Sequence, residues 1–112
     1  MKKVSHEKKG DIVVVAIDGD IEFDDSIQLN ELFGTIIKEG NPKIVLDLSA
    51  CNYIDSSGIG ALVEGLKTTQ KASGDFRLCN LNDDFQEILM MTRIIKYFQV
   101  FNSVEDAVKS FH

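Results

Sequence analysis

The segment YIDSSGIG, residues 53–60, contains the residue types in this sequence that are most suited to chemistry. It lies between a strand-like stretch and the start of a helix, where Asp and Ser side chains accept hydrogen bonds from the free N–H groups of the first turn. Capping explains one Asp or one Ser. It does not explain Gly58 and Gly60, because each glycine costs about 1 kcal/mol of helix propensity. Glycine at this position lets another molecule approach the backbone closely.

A serine hydroxyl at the start of this helix is also suited to covalent modification. Phosphorylation would add a charge of about −1.5 to −2 beside the positive end of the helix. The segment therefore has two interpretations, a simple helix cap or a modifiable docking site.

The rest of the sequence lacks the groups that an enzyme needs. Both histidines, His6 and His112, lie at the ends of the chain, where fraying is expected. No nucleophile elbow, P-loop or Rossmann fingerprint is present, and no Cys/His spacing suits zinc. The acids of residues 18–25 do not have the spacing of a calcium loop. We therefore expect no catalysis, no cofactor and no bound metal.

Charge and cysteine content limit the partners and the compartment. A net charge of −6 argues against binding to nucleic acid or to an anionic membrane surface. No signal sequence and no apolar run long enough to enter a membrane is present. Cys51 and Cys79 stand in apolar surroundings and are expected to be reduced core residues. The sequence thus predicts one cytoplasmic domain over residues 1–112.

Five acids crowd into eight positions before the first helix: Asp18, Asp20, Glu22, Asp24 and Asp25. Such a cluster usually forms a solvated loop that also favours the following helix N-terminus. It would equally serve as one edge of a surface that a basic partner recognises. The sequence leaves both interpretations open.

Alternating strands and helices are predicted along the chain, which gives an α/β sandwich with a mixed sheet. An antiparallel edge strand is expected at Val4–Lys8, before a buried strand at Ile12–Ile17. The remaining predicted elements are a helix from about Asp25 to Gly40, strands at Lys43–Leu48 and Phe76–Leu81, and helices over Ser57–Ala72, after Asn82 and after Ser103.

The helix over Ser57–Ala72 has two competing stripes. Ile59, Leu62, Val63 and Leu66 form the predicted core stripe. Small residues recur on a second stripe, predicted to lie off the core face: Gly58, Ala61, Gly65, Thr68 and Ala72. This second stripe indicates either close packing within the domain or a docking strip for a partner.

Two parts of the sequence resemble the STAS domain of bacterial anti-sigma factor antagonists. The first is IVLDLS at 44–49 followed by IDSSGIG at 54–60 and then Ala61-Leu62. The second is the tail at 91–101, MTRIIKYFQVF, which leads into SVEDA. The resemblance covers about Val4 to Phe111, and it implies a mixed sheet with helices mainly on one face.

The resemblance also implies a function based on exchange of binding partners. The unmodified protein would bind an anti-sigma factor that is also a serine kinase, and phosphorylation would weaken that binding. A PP2C-type phosphatase would reverse the modification. The first serine after the aspartate, Ser56, is the implied phosphoacceptor.

The implied partner-binding residues lie in two segments. They are Gly19, Asp20, Glu22 and Asp24 in one loop, and Asp55, Ser57, Gly58, Gly60 and Ala61 around the acceptor. Glu22 stands where the family usually has aspartate. Arg93 replaces a glycine that is common after the tail threonine, which implies local strain of about 1 kcal/mol if the position needs a positive φ. We expect a monomer or a weak dimer.

Four alternatives remain at this stage. The domain could be an unphosphorylated STAS scaffold or a subunit of a lipid-transport complex. A two-component receiver would use Asp47 as its phosphoacceptor, although the acidic pair and the late lysine of a receiver are missing. A hydrolase with Ser56 as nucleophile is disfavoured because both histidines are terminal.

Overall fold

The computed structural model describes residues 1–112, and it has an α/β fold with five strands and four helices. The elements, in chain order, are β1 (Lys3–Lys9), β2 (Ile12–Asp18), α1 (Asp25–Lys38), β3 (Lys43–Ala50), α2 (Ser56–Lys71), β4 (Asp75–Cys79), α3 (Asp83–Met91), a 3₁₀ turn (Ile95–Tyr97), β5 (Val100–Phe101) and α4 (Val104–Lys109). Every predicted strand and helix is present, with ends that differ by one or two residues.

The strands form one sheet in the order β1-β2-β3-β4-β5. β1 is antiparallel to β2, because the tight turn at Gly10, with φ of +66°, reverses the chain at once. The other neighbours are parallel, since helical crossovers join β2 to β3 and β3 to β4. The predicted antiparallel edge strand is confirmed. β5 was not predicted, because a strand of two residues is too short to show an alternation of apolar and polar residues.

The two faces of the sheet are covered unequally. Val13, Val15 and Ile17 of β2 face a core of 20 buried residues, to which α1, α2 and α3 contribute. Ile12 and Val14 face a second core of five buried residues that α4 covers. The predicted arrangement, with helices mainly on one face, is therefore confirmed.

The predicted core stripe of α2 is partly wrong. Leu62 and Leu66 are buried, but Ile59 and Val63 are only half-buried. The small residues Gly58, Ala61 and Gly65 are buried instead, which excludes a docking strip at these three positions. Their size explains the result: a Cβ added at Gly65 would lie 2.8 Å from Cε2 of Phe76 in β4, so only glycine lets the helix pack this closely.

The ends of three helices use the same backbone motif. After α3, the N–H groups of Arg93 and Ile94 donate to the carbonyls of Met90 (3.0 Å) and Leu89 (3.2 Å). This motif places one residue in the left-handed region, and that residue is Gly40 after α1, Ser73 after α2 and Arg93 after α3. Arg93 has φ of +63°, so the condition under which strain was expected at this position is met.

Both cysteines are buried and unpaired, as expected. Burial raises the pKa of the Cys51 thiol to about 11 and that of the Cys79 thiol to about 12. Neither thiol is therefore a reactive thiolate at neutral pH.

Candidate functional site

Two loops run side by side where β2 and β3 end, and together they form the candidate site. Residues 19–24 connect β2 to α1, and residues 51–55 connect β3 to α2. The N–H of Ile21 donates to the carbonyl of Tyr53 at 2.9 Å, and the N–H of Asp55 donates to the carbonyl of Ile21 at 3.0 Å. The parallel strands bring their carboxyl ends to one edge of the sheet, so residues far apart in sequence meet there.

Asp55 is the residue that joins these loops to α2. As the N-cap of α2, its carboxylate accepts from the N–H of Gly58 at 2.9 Å and from the Ser57 hydroxyl at 2.7 Å. It also accepts from the N–H of Phe23 in the other loop at 3.0 Å. The bond from Gly58, followed by that from Ser57, lowers the pKa of the Asp55 carboxyl, so it is ionised at neutral pH.

The two serines of the site differ in their hydrogen bonding. Ser57 Oγ donates to Asp55 and lies 3.3 Å from the carbonyl oxygen of Phe23, which ties it to the loops. Ser56 is the first residue of α2, is exposed, and its hydroxyl has no hydrogen-bond partner in the chain. Ser56 is therefore the serine that is free to react with another molecule.

The loop of residues 19–24, which lies beside the loop that leads to Ser56, carries three acids. Asp20 and Asp24 are exposed and Glu22 is half-buried, and none of the three forms a salt bridge. Asp25, by contrast, pairs with the amino group of Met1 at 2.8 Å. The site therefore has a free acidic rim rather than a neutralised one.

The three glycines of the predicted partner-binding set have different surroundings. Gly19 has φ of +97°, and a Cβ there would lie 3.0 Å from the backbone nitrogen of Lys2, so it is required by the turn. A Cβ at Gly58 would lie 2.7 Å from side-chain atoms of both Ile21 and Ile54. Gly60 is exposed, with open space around it.

Two of the residues predicted to bind the partner are buried in the domain. Gly58 and Ala61 are buried, and Ala61 is only 1% exposed, so neither offers surface to a partner. Both lie on the face of α2 that packs on the sheet, where their small size sets the distance between the helix and the sheet. These two residues therefore contribute to the site by positioning α2.

Sequence reasoning did not single out Phe23, although Phe23 lies between two acids in the loop whose other residues were predicted to bind the partner. Its side chain is 80% exposed and its φ is +57°. A single aromatic residue inside an acidic, turn-like segment was the available signal. Ile27 in α1 and Tyr53 in the second loop are also large, apolar and exposed.

Comparison with known proteins decides the family. The family model for the STAS domain matches residues 3–107. The chain belongs to the STAS family. Among curated relatives, BtrV of Bordetella bronchiseptica, provisionally named an anti-sigma factor antagonist, is 25% identical over 109 residues, which are 97% of this chain and 94% of BtrV.

Solved structures have the same STAS fold. TM1081 of Thermotoga maritima, also provisionally named an anti-sigma factor antagonist, matches with a TM-score of 0.90 and 21% identity, over 96% of this chain and 93% of that one. The Bacillus protein SpoIIAA in its phosphorylated form matches with a TM-score of 0.76 and 17% identity, over 98% and 100% of the two chains. In its unphosphorylated form, SpoIIAA is described as an anti-sigma factor antagonist. At these identities, the structures establish the fold.

The STAS assignment replaces the receiver alternative. Asp47, the residue that a receiver would phosphorylate, is half-buried and accepts hydrogen bonds from Asn80 Nδ2 at 3.0 Å and from the N–H of Ser49 at 3.1 Å. These bonds give it a structural role at the end of β3. None of the helices combines the length and the hydrophobicity that a membrane-spanning segment needs.

Proposed function

We propose that this STAS domain is an anti-sigma factor antagonist whose binding to an anti-sigma factor with serine kinase activity is controlled by phosphorylation of Ser56. The observation that carries the proposal is the exposed, unpartnered hydroxyl of Ser56 between Asp55 and Ser57. The names of its relatives support the same class of function. A PP2C-type phosphatase would restore the unmodified state.

The chemistry requires only that Ser56 reach the active sites of its two enzymes. The kinase transfers the γ-phosphoryl group of ATP to Ser56 Oγ, which loses its proton, and ADP leaves. The phosphatase hydrolyses the ester with water and releases inorganic phosphate. All catalytic groups belong to the partners, so this domain needs no general base of its own.

Phosphorylation would weaken binding through electrostatics. The unmodified hydroxyl is small and neutral, so a partner can cover it at little cost. A phosphate adds a charge of about −1.5 to −2, which a tight complex would have to desolvate. The carboxylate of Asp55, next to Ser56, adds a negative charge, and Asp20 and Asp24 in the neighbouring loop form no salt bridge. The phosphate therefore weakens any complex in which no basic side chain of the partner pairs with the phosphate itself.

The same phosphate would leave the fold intact. Ser56 is the first residue of α2, where the helix dipole favours an anion. Its hydroxyl makes no hydrogen bond that modification would break. The switch thus acts on the surface and not on the core.

The first experiment tests the acceptor. The domain is incubated with ATP and the purified anti-sigma factor kinase from the same genome, and intact-protein mass spectrometry follows phosphate incorporation. We expect one phosphate on the wild type and on Ser57→Ala, and none on Ser56→Ala. Phosphorylation of Ser56→Ala would contradict the assignment. A wild type that binds the kinase but takes up no phosphate would support the scaffold alternative.

The second experiment tests the switch. Ser56→Asp places a negative charge at the same position, and calorimetric titration measures its binding to the anti-sigma factor. We expect weaker binding than for the wild type and a melting temperature within about 2 °C of it, because the helix N-terminus accepts the charge. A large fall in melting temperature would show instead that the substitution disrupts the fold.

A further inference from the structure

Phe23 is the most exposed large apolar residue of the domain, and its backbone is strained. Its side chain is 80% exposed, so it contributes little to the core. Its φ of +57° lies in the left-handed region, which bulky residues avoid. Glycine or asparagine would be favoured there if folding alone chose the residue. The free domain thus gains nothing visible from an aromatic ring at this position.

Backbone hydrogen bonds hold Phe23 next to the phosphoacceptor. Its N–H donates to Asp55 Oδ2 at 3.0 Å, and its carbonyl oxygen lies 3.3 Å from Ser57 Oγ. Asp55 and Ser57 are the two residues that flank Ser56. A partner that covers Ser56 therefore meets Phe23 as well, and because both contacts use the backbone, the ring remains available.

The surroundings of Phe23 combine apolar surface with negative charge. Ile27 is 60% exposed and Tyr53 is 45% exposed at the same end of the domain. Glu22 and Asp24 are its neighbours in sequence, and neither forms a salt bridge within the chain. An apolar centre with a charged rim is the usual organisation of a protein interface. The complementary surface would be an apolar pocket bordered by lysine or arginine.

We propose that Phe23 is an aromatic anchor, which the anti-sigma factor buries in an apolar pocket with a basic rim. This inference rests on the proposed function and adds a specificity-determining residue to it. Aromatic residues are enriched among the few interface residues that dominate binding. Phe23 contributes to affinity, while Ser56 and its phosphate control whether the complex forms.

The test compares Phe23→Ala with Tyr97→Ala by calorimetric titration against the anti-sigma factor. Tyr97 is a suitable control because it is an exposed aromatic residue (61%) that comes before the amino end of β5, whereas Phe23 follows the carboxyl end of β2. We expect Phe23→Ala to weaken binding at least tenfold and Tyr97→Ala to leave it within a factor of about two. Phe23→Leu should recover part of the loss.

Two further readouts separate anchoring from a role in the fold. Phe23→Gly should raise the melting temperature, because it relieves the positive φ, and still weaken binding as much as Phe23→Ala does. In the kinase reaction, Phe23→Ala should raise KM for the domain much more than it lowers kcat, since Ser56 itself is unchanged. A fall in melting temperature for Phe23→Gly would overturn the argument.

The outcomes distinguish this inference from the proposed function. Wild-type binding and phosphorylation, with unaltered affinity for Phe23→Ala, would overturn the anchor alone. Failure of the wild type to bind at all would overturn both. If Phe23→Ala converts a dimer into a monomer in sedimentation experiments and leaves the affinity unchanged, a second copy of this chain is the occupant, and the anchor is likewise overturned.

Discussion

Replacement of Gly65 by alanine tests the packing that positions the candidate site. A Cβ at Gly65 would lie 2.8 Å from Cε2 of Phe76 and 3.1 Å from its Cδ2. Phe76 is fully buried and packs edge-on against Phe33, with ring centroids 4.9 Å apart, and against Phe98, with centroids 6.3 Å apart. The ring therefore cannot move aside, so α2 would have to rise from the sheet.

The expected magnitude is the difference between two opposing effects. Alanine gains about 1 kcal/mol over glycine in helix propensity. Overpacking of a rigid core costs about 1–3 kcal/mol. If overpacking at this contact costs about 2 kcal/mol, the net effect of Gly65→Ala is to lower the free energy of unfolding by about 1 kcal/mol. This corresponds to a fall in melting temperature of roughly 4–8 °C.

Gly34→Ala is the matched control, because it makes the same chemical change in α1. A Cβ at Gly34 meets no atom within 4 Å, so only the propensity gain of about 1 kcal/mol remains. Urea unfolding followed by circular dichroism should separate the two variants by about 2 kcal/mol. In a Phe76→Leu background, the cost of Gly65→Ala should shrink. If Gly65→Ala is as stable as Gly34→Ala, the packing argument fails.

Three further predictions concern a helix end, a cap and acid stability. Arg93→Gly should stabilise the domain by about 1 kcal/mol in urea unfolding, because glycine has no penalty at a φ of +63°; unchanged stability would refute the strain. Asn82→Ala should cost about 2 kcal/mol in urea unfolding, since Asn82 caps α3 through the N–H of Phe85 and donates two bonds of 2.7 Å to the loop before α2. Asn82→Ser, which keeps a cap acceptor but not the two donated bonds, should lose less in the same assay. The pKa of the Asp55 carboxyl is lowered in the folded domain, so its contribution to stability is complete above the ordinary pKa of 3.8 and is lost as the pH falls through the folded pKa. Between about pH 5 and about pH 2.5, the melting temperature of Asp55→Asn should therefore fall less steeply than that of the wild type. Equal slopes for the two proteins would contradict this assignment.

Local signals in the sequence predicted much of the candidate site. The cap of α2 by Asp55 and the cap of α3 by Asn82 depend on a side chain and an N–H three residues later, so the spacing alone reveals them. The positive φ of Arg93 also follows from its place after a helix, together with the family's usual glycine. These interactions lie within a few residues of the chain.

The face of α2 could not be predicted in the same way. Hydropathy gives weight to large residues, and so Ile59 and Val63 were assigned to the core in place of Gly58, Ala61 and Gly65. Close approach of a helix to a sheet requires small residues at the contact, which hydropathy does not register. The identity of the neighbour, the ring of Phe76, depends on the crossover between strands.

The sequence by itself determined the order of elements, the mixed sheet and the motif around Ser56, because these depend on periodicity, capping and short spacings. Only the tertiary structure decided that Phe23 meets Asp55 and Ser57, and that, of the two serines of the site, Ser56 is the one whose hydroxyl stays free. The physical reason is that the parallel pairing of β2 and β3 brings two loops about 30 residues apart in sequence to one edge of the sheet. Hydrogen bonds across that edge are invisible to any local pattern in the chain.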